Sequence, residues 1–134
     1  MKLLVYASDE NQRKRLLKAI GASKHQCKLV IVVDFSALHD QLVRNCWGEV
    51  WLLLVSKSPA ELDGLVALGN LIQNRCSILV LPDHRHETLT AGHSLYPRFI
   101  SYLDSDWNDV GSVLEQVVTK SEESKVNSTL GGRT

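Results

Sequence analysis

Short apolar runs alternate along this chain with stretches whose apolar residues recur every three or four positions. Leu3 to Tyr6 is a continuous run, as expected of a strand buried on both faces. Polar residues from Asp9 to Arg15 follow, and Leu16, Leu17 and Ile20 then form a narrow helical stripe that Gly21 is placed to end. Leu29 to Val33 is rich in β-branched residues and predicts a second strand. Ser36 to Cys46 puts Leu38, Leu42 and Val43 on one helical face, closed by Gly48. Val50 to Val55 is the most apolar run and predicts a third, central strand.

The sharpest local boundary comes next. Ser58-Pro59-Ala60-Glu61 combines a serine N-cap, a proline at the first helical position and a capping-box glutamate. Leu62, Leu65, Val66, Gly69 and Ile72 continue a core-facing stripe. Ile78 to Leu81 predicts the fourth strand, closed by Pro82, and Phe99 to Leu103 the fifth. Between them, Asp83 to Gly92 is polar and weakly patterned, so a helix there is expected to be short. Asp106 is placed to cap a last helix in which Trp107, Val110, Val113, Leu114, Val117 and Val118 share a face. From Lys120 onward little can pack, and 120–134 reads as a polar flexible tail or linker.

Five strands alternating with helices imply right-handed crossovers and a parallel sheet covered on both faces. Ligands of such sheets sit at the carboxyl ends of the strands. The loops after Tyr6, Val33, Val55, Leu81 and Leu103 are therefore where any chemistry is expected.

Composition narrows the function classes. A chain of 134 residues is one domain and needs no metal or disulfide to build a core. Lys+Arg 15 against Asp+Glu 15 lacks the basic excess of a nucleic-acid binder, so no nucleic-acid partner is expected. No apolar run nears the length of a membrane span, and the first residues do not form a signal peptide, so the expectation is a cytoplasmic domain without a membrane partner. Cys27, Cys46 and Cys76 have neither the number nor the spacing of a disulfide or zinc framework.

Motifs for small-molecule chemistry are also missing. Ala7-Ser8-Asp9-Glu10-Asn11 contains no glycine-rich phosphate cradle, and no nucleophile elbow occurs in the chain. His84, His86 and His93 fall in one stretch with Asp83 and Glu87, a set that could hold a metal. Their spacing matches no helical ligand pair and Arg85 interrupts them, so a solvated loop is expected and no metal or cofactor is assigned. Trp47, Trp51 and Trp107 read first as packing residues.

The order of elements, with Val50-Trp51-Leu52-Leu53-Leu54-Val55-Ser56 followed by Leu62-Asp63-Gly64-Leu65, resembles the CheY-like receiver domain of response regulators over roughly residues 2–119. The resemblance implies a flavodoxin-like α/β fold with strand order 2-1-3-4-5, and a domain over 1–119. In that family an aspartate ending the third strand accepts a phosphoryl group, and counting back from Gly64 by the family's spacing lands on Ser56. The acidic pair that holds Mg²⁺ after the first strand aligns with Ala7 and Ser8, or with Ser8 and Asp9 in a shifted register. The hydroxyl residue after the fourth strand aligns with Pro82 and the lysine after the fifth with Ser105. The switch aromatic has a counterpart in Tyr102.

Phosphoryl transfer rests on positioning and on neutralising charge with metal and cations, and Mg²⁺ prefers carboxylate oxygens. Ala7, Ser8, Asp9, Ser56, Pro82 and Ser105 therefore form a degenerate pocket with no catalytic residue. The implied function is that of a pseudo-receiver: a non-enzymatic signalling module, independent of phosphorylation, docking another signalling protein or a second copy of itself. Tyr102 and Trp107, near the face that receivers use for docking, are the expected interaction surface. The alternative is a small-molecule or anion binder using hydroxyls of Ser8, Ser56, Ser58 and Ser105 in the strand-end crevice. A metal enzyme around His84 and His86 is a third reading.

Overall fold

The computed structural model describes residues 2–21, 28–44, 50–105 and 107–116. Expectations for Cys27, Cys46, Trp47, Gly48, Asp106, Val117, Val118 and the 120–134 tail lie outside these residues.

Five strands form one parallel sheet: β1 (Lys2–Tyr6), β2 (Lys28–Val32), β3 (Val50–Val55), β4 (Cys76–Leu81) and β5 (Phe99–Tyr102), in spatial order β2-β1-β3-β4-β5. This is the flavodoxin-like α/β arrangement. The helices are α1 (Glu10–Ile20), α2 (Phe35–Arg44), α3 (Pro59–Ala67), α4 (Gly69–Ile72), α5 (His86–His93) and a last helix, α6, over 108–116.

Strand periodicity splits the core into two layers. Leu4, Tyr6, Leu52, Leu54, Leu79 and Leu81 pack with Leu38, Leu42, Leu62, Leu65 and Ile72 of α2, α3 and α4. Leu3, Val5, Leu53, Val55, Ile78 and Val80 pack with Leu16 and Ile20 of α1 and with Trp107, Val110 and Leu114 at α6. The three inner strands are therefore apolar at almost every position, and β3 lies in the middle, as its composition predicts. Glycine allows one close helix approach: a Cβ at Gly111 would stand 2.5 Å from the Ala19 carbonyl oxygen.

The predicted Ser58 cap forms, and the structure adds one at Asp9. Ser58 Oγ accepts the Glu61 amide at 3.2 Å, with Pro59 opening α3. Asp9 caps α1 by accepting the Gln12 amide at 3.0 Å. One element differs from the pattern. The single stripe expected from Leu62 to Ile72 is broken at Leu68, whose φ of −93° and ψ of 12° separate α3 from α4. The stripe survives the break because Leu62, Leu65, Gly69 and Ile72 stay buried on both sides of it.

Leu53 has no exposed surface and lies between β1 and β4, so Leu53→Ala should cost roughly 2–5 kcal/mol. Ser56 is equally buried, yet its partner, the Val80 carbonyl oxygen, also accepts the Ser56 amide. Ser56→Ala should therefore cost only about 1 kcal/mol. Urea unfolding of both variants checks the difference, and equal costs would contradict the layering.

Candidate functional site: the carboxyl ends of β1 and β3

The strand order reverses between β1 and β3, since β1 leads to β2 on one side while β3 lies on the other. In open parallel sheets, the crevice at this switch point is where ligands bind. Here Ala7, Ser8 and Asp9 follow β1, and Ser56, Lys57 and Ser58 follow β3.

A carboxylate from α3 occupies the junction. Glu61 Oε2 accepts the Ser8 hydroxyl at 2.6 Å and the Tyr6 hydroxyl at 3.1 Å. Its other oxygen accepts the Lys57 amide at 2.9 Å. Ser58 and Pro59 start α3 where its first turn reaches back over the sheet, which explains the position of Glu61. The Tyr6 ring stacks on Phe35, with centroids 5.3 Å apart and planes 12° apart. A Cβ at Gly64, in the next turn of α3, would overlap that Phe35 ring. Burial, and then the Glu61 carboxylate beside it, push the Tyr6 hydroxyl up to about 12.

The other pocket positions are also tied into the fold. Arg13 Nη1 donates to the carbonyls of Ala7 at 2.9 Å and Ser8 at 3.1 Å, placing a guanidinium beside the loop after β1. Asp9 serves as the α1 cap. Ser56 is fully buried, and its hydroxyl donates to the Val80 carbonyl oxygen at 2.6 Å. Ser105 donates to the Tyr102 carbonyl at 3.0 Å and lies 3.0 Å from the Ser101 hydroxyl. Pro82 is half-buried at the end of β4.

Trp107 requires a correction. Expected on an interaction surface, it has no exposed area and belongs to the core under α1 and α6. Its φ of 62° turns the chain into α6. Its Nε1 donates to the Tyr102 carbonyl at 2.9 Å. The Arg15 guanidinium lies 4.1 Å from its ring centroid and also donates to the Leu103 carbonyl at 2.8 Å. Trp107 thus anchors the chain after β5, and burying the indole satisfies its N–H as burial requires.

Tyr102 remains partly exposed, stacked on His84 with centroids 3.8 Å apart, and His84 Nε2 sits 2.9 Å from Asp104. The histidine stretch is thereby separated: His84 joins the end of β5, whereas His86 opens α5 and His93 ends it. Among the described residues, no group of three or more His, Cys, Asp or Glu is placed to hold a metal. Sequence reasoning identified Glu61 only as a local capping residue and missed its contact with Ser8. It also missed the reach of Arg15 to Leu103.

No family model and no curated protein matches the sequence. Among solved structures, a Burkholderia pseudomallei protein described as pilus assembly-related superposes with a TM-score of 0.61 at 16% identity. The match covers 89% of this chain and 90% of that one, and it shows a shared fold.

The site predicts a titration. A phenol ionising near 12 should be present in the folded chain and absent from Tyr6→Phe. Because the folded value is raised, the stability it carries is complete below about pH 10 and is lost as pH rises through about 12. Glu61→Gln removes the neighbouring negative charge and should lower that ionisation in an ultraviolet titration. An unmoved titration would contradict the contact.

Proposed function

We propose that this chain is a receiver-like docking module that works through protein–protein contact and performs no phosphoryl chemistry. The observation that carries this reading is Ser56, which is fully buried with its hydroxyl committed to the Val80 carbonyl at the position of the receiver phospho-acceptor. A serine so placed holds its proton on a carbonyl oxygen rather than on a base, and its burial leaves no open face for in-line attack.

The surroundings support the same reading. Asp9 is occupied as a helix cap, and the Arg13 guanidinium beside Ala7 and Ser8 disfavours a divalent cation there. Glu61 repels anions from the crevice, and the hydroxyls of Ser8, Ser56 and Ser105 already donate within the fold. These contacts weigh against the small-molecule and anion-binding alternative. With Trp107 inside, the docking surface near β5 centres on Tyr102 and the His84 ring stacked on it. The proposed partner is another cytoplasmic signalling or assembly protein. The pilus assembly-related description of the solved neighbour agrees with an assembly role.

The test is to add acetyl phosphate, or beryllofluoride, with Mg²⁺ and to record amide chemical shifts. The reading predicts unchanged spectra around Ala7, Ser8 and Ser56 and unchanged intact mass. Shifts concentrated at Ser56, or a mass gain of one phosphoryl group, would overturn it.

A further inference from the structure

The strand β2 forms one edge of the sheet, and no described strand pairs with its outer side. In most proteins such an edge is blunted by charge, proline or a cover. Here Ile31 is 38% exposed and Val33 is 46% exposed, while Leu29 is half-buried. The pairing of Leu3 with Leu29 and Val5 with Ile31 places these three residues on the α1 side of the sheet. Val30 and Val32 lie on the opposite side, with the α2 layer.

The hydrogen-bonding direction of this edge follows from one bond. The Ala7 amide donates to the Val32 carbonyl at 3.2 Å, so the peptide groups of Val32, Val30 and Lys28 face β1. Those of Leu29, Ile31 and Val33 therefore face outward. An antiparallel partner can bond only in a register that sets these three against outward-facing groups of its own.

The sequence satisfies that register when paired with itself. About Ile31, Lys28-Leu29-Val30-Ile31-Val32-Val33-Asp34 is palindromic in apolar character and opposite in charge at its ends. We infer that the outer edge of β2 pairs antiparallel with β2 of a second copy of this chain, centred on Ile31. Ile31 then meets Ile31 of the second copy, and Leu29 meets Val33 of the second copy. Each such pair exchanges both N–H···O bonds. The exposed apolar side chains form one stripe across the two-fold axis, as an isologous contact requires. Lys28 of each copy lies opposite Asp34 of the other, and both residues are exposed. The hydrogen-bond register and the charge register coincide, which a shift of one residue would destroy. This surface lies at the opposite edge of the sheet from Tyr102 and only its Asp34 end borders the strand-end loops, so the inference goes beyond the docking reading and does not depend on the fate of Ser56.

Sedimentation of the full chain over a concentration series provides the test. The wild type should dimerise with concentration, and Ile31→Lys should weaken the dimer by roughly tenfold or more, because two like charges meet at its centre. Lys28→Asp and Asp34→Lys should each dimerise poorly alone, whereas their mixture should recover a heterodimer. Asp34 also caps α2 through the Ala37 amide at 2.7 Å, so circular dichroism accompanies each variant. If Asp34→Lys fails to fold, Lys28→Asp must weaken the dimer more than Lys28→Ala does. A chain that stays monomeric at all concentrations would overturn the inference. So would a dimer indifferent to Ile31→Lys, or folded charge variants that do not recover on mixing.

Discussion

The Glu61 carboxylate joins the carboxyl ends of two adjacent strands. It receives hydroxyls from Tyr6 at the end of β1 and from Ser8 just beyond, together with the Lys57 amide just beyond β3. A partly buried carboxylate must be matched by donors, and three of them converge on it here. Once that is satisfied, α3 cannot shift along the sheet without stranding a charge. The same contact ties the two strand ends together at the switch point of the topology.

The receivers that the strand pattern resembles use this end of the sheet differently. A phosphoryl site needs unsatisfied carboxylates facing a cavity, with a cation ready for the transferred group. Here Asp9 caps a helix, Arg13 holds the backbone of Ala7 and Ser8, and Ser56 donates to Val80. Asp9, Arg13 and Ser56 each have a partner within the fold.

How much of this is legible in the sequence differs from residue to residue. Alternating runs reveal β1 to β5 because buried parallel strands must be apolar on both faces. Ser58 and Pro59 announce the start of α3, since capping chemistry is local. The contact from Glu61 to Ser8 is not legible, because it depends on the register of β1 against β3 across more than fifty positions. Trp107 carries two readings in the sequence, packing along the stripe of Val110 and Leu114 and an interaction surface near β5. A positive φ and the Arg15 side chain from α1 enclose it and decide for packing. The break at Leu68 is equally silent, since both halves keep the same buried stripe.

A double-mutant cycle measures the hydrogen bond by which Ser8 and Glu61 join the strand ends. Ser8→Ala, Glu61→Ala and the double variant would be unfolded in urea beside the wild type. The account predicts a coupling energy of about 0.5–3 kcal/mol between the two positions, as for side chains in one hydrogen-bonded network. Strictly additive costs would mean that the two residues do not interact, and the link between the strand ends would lose its basis.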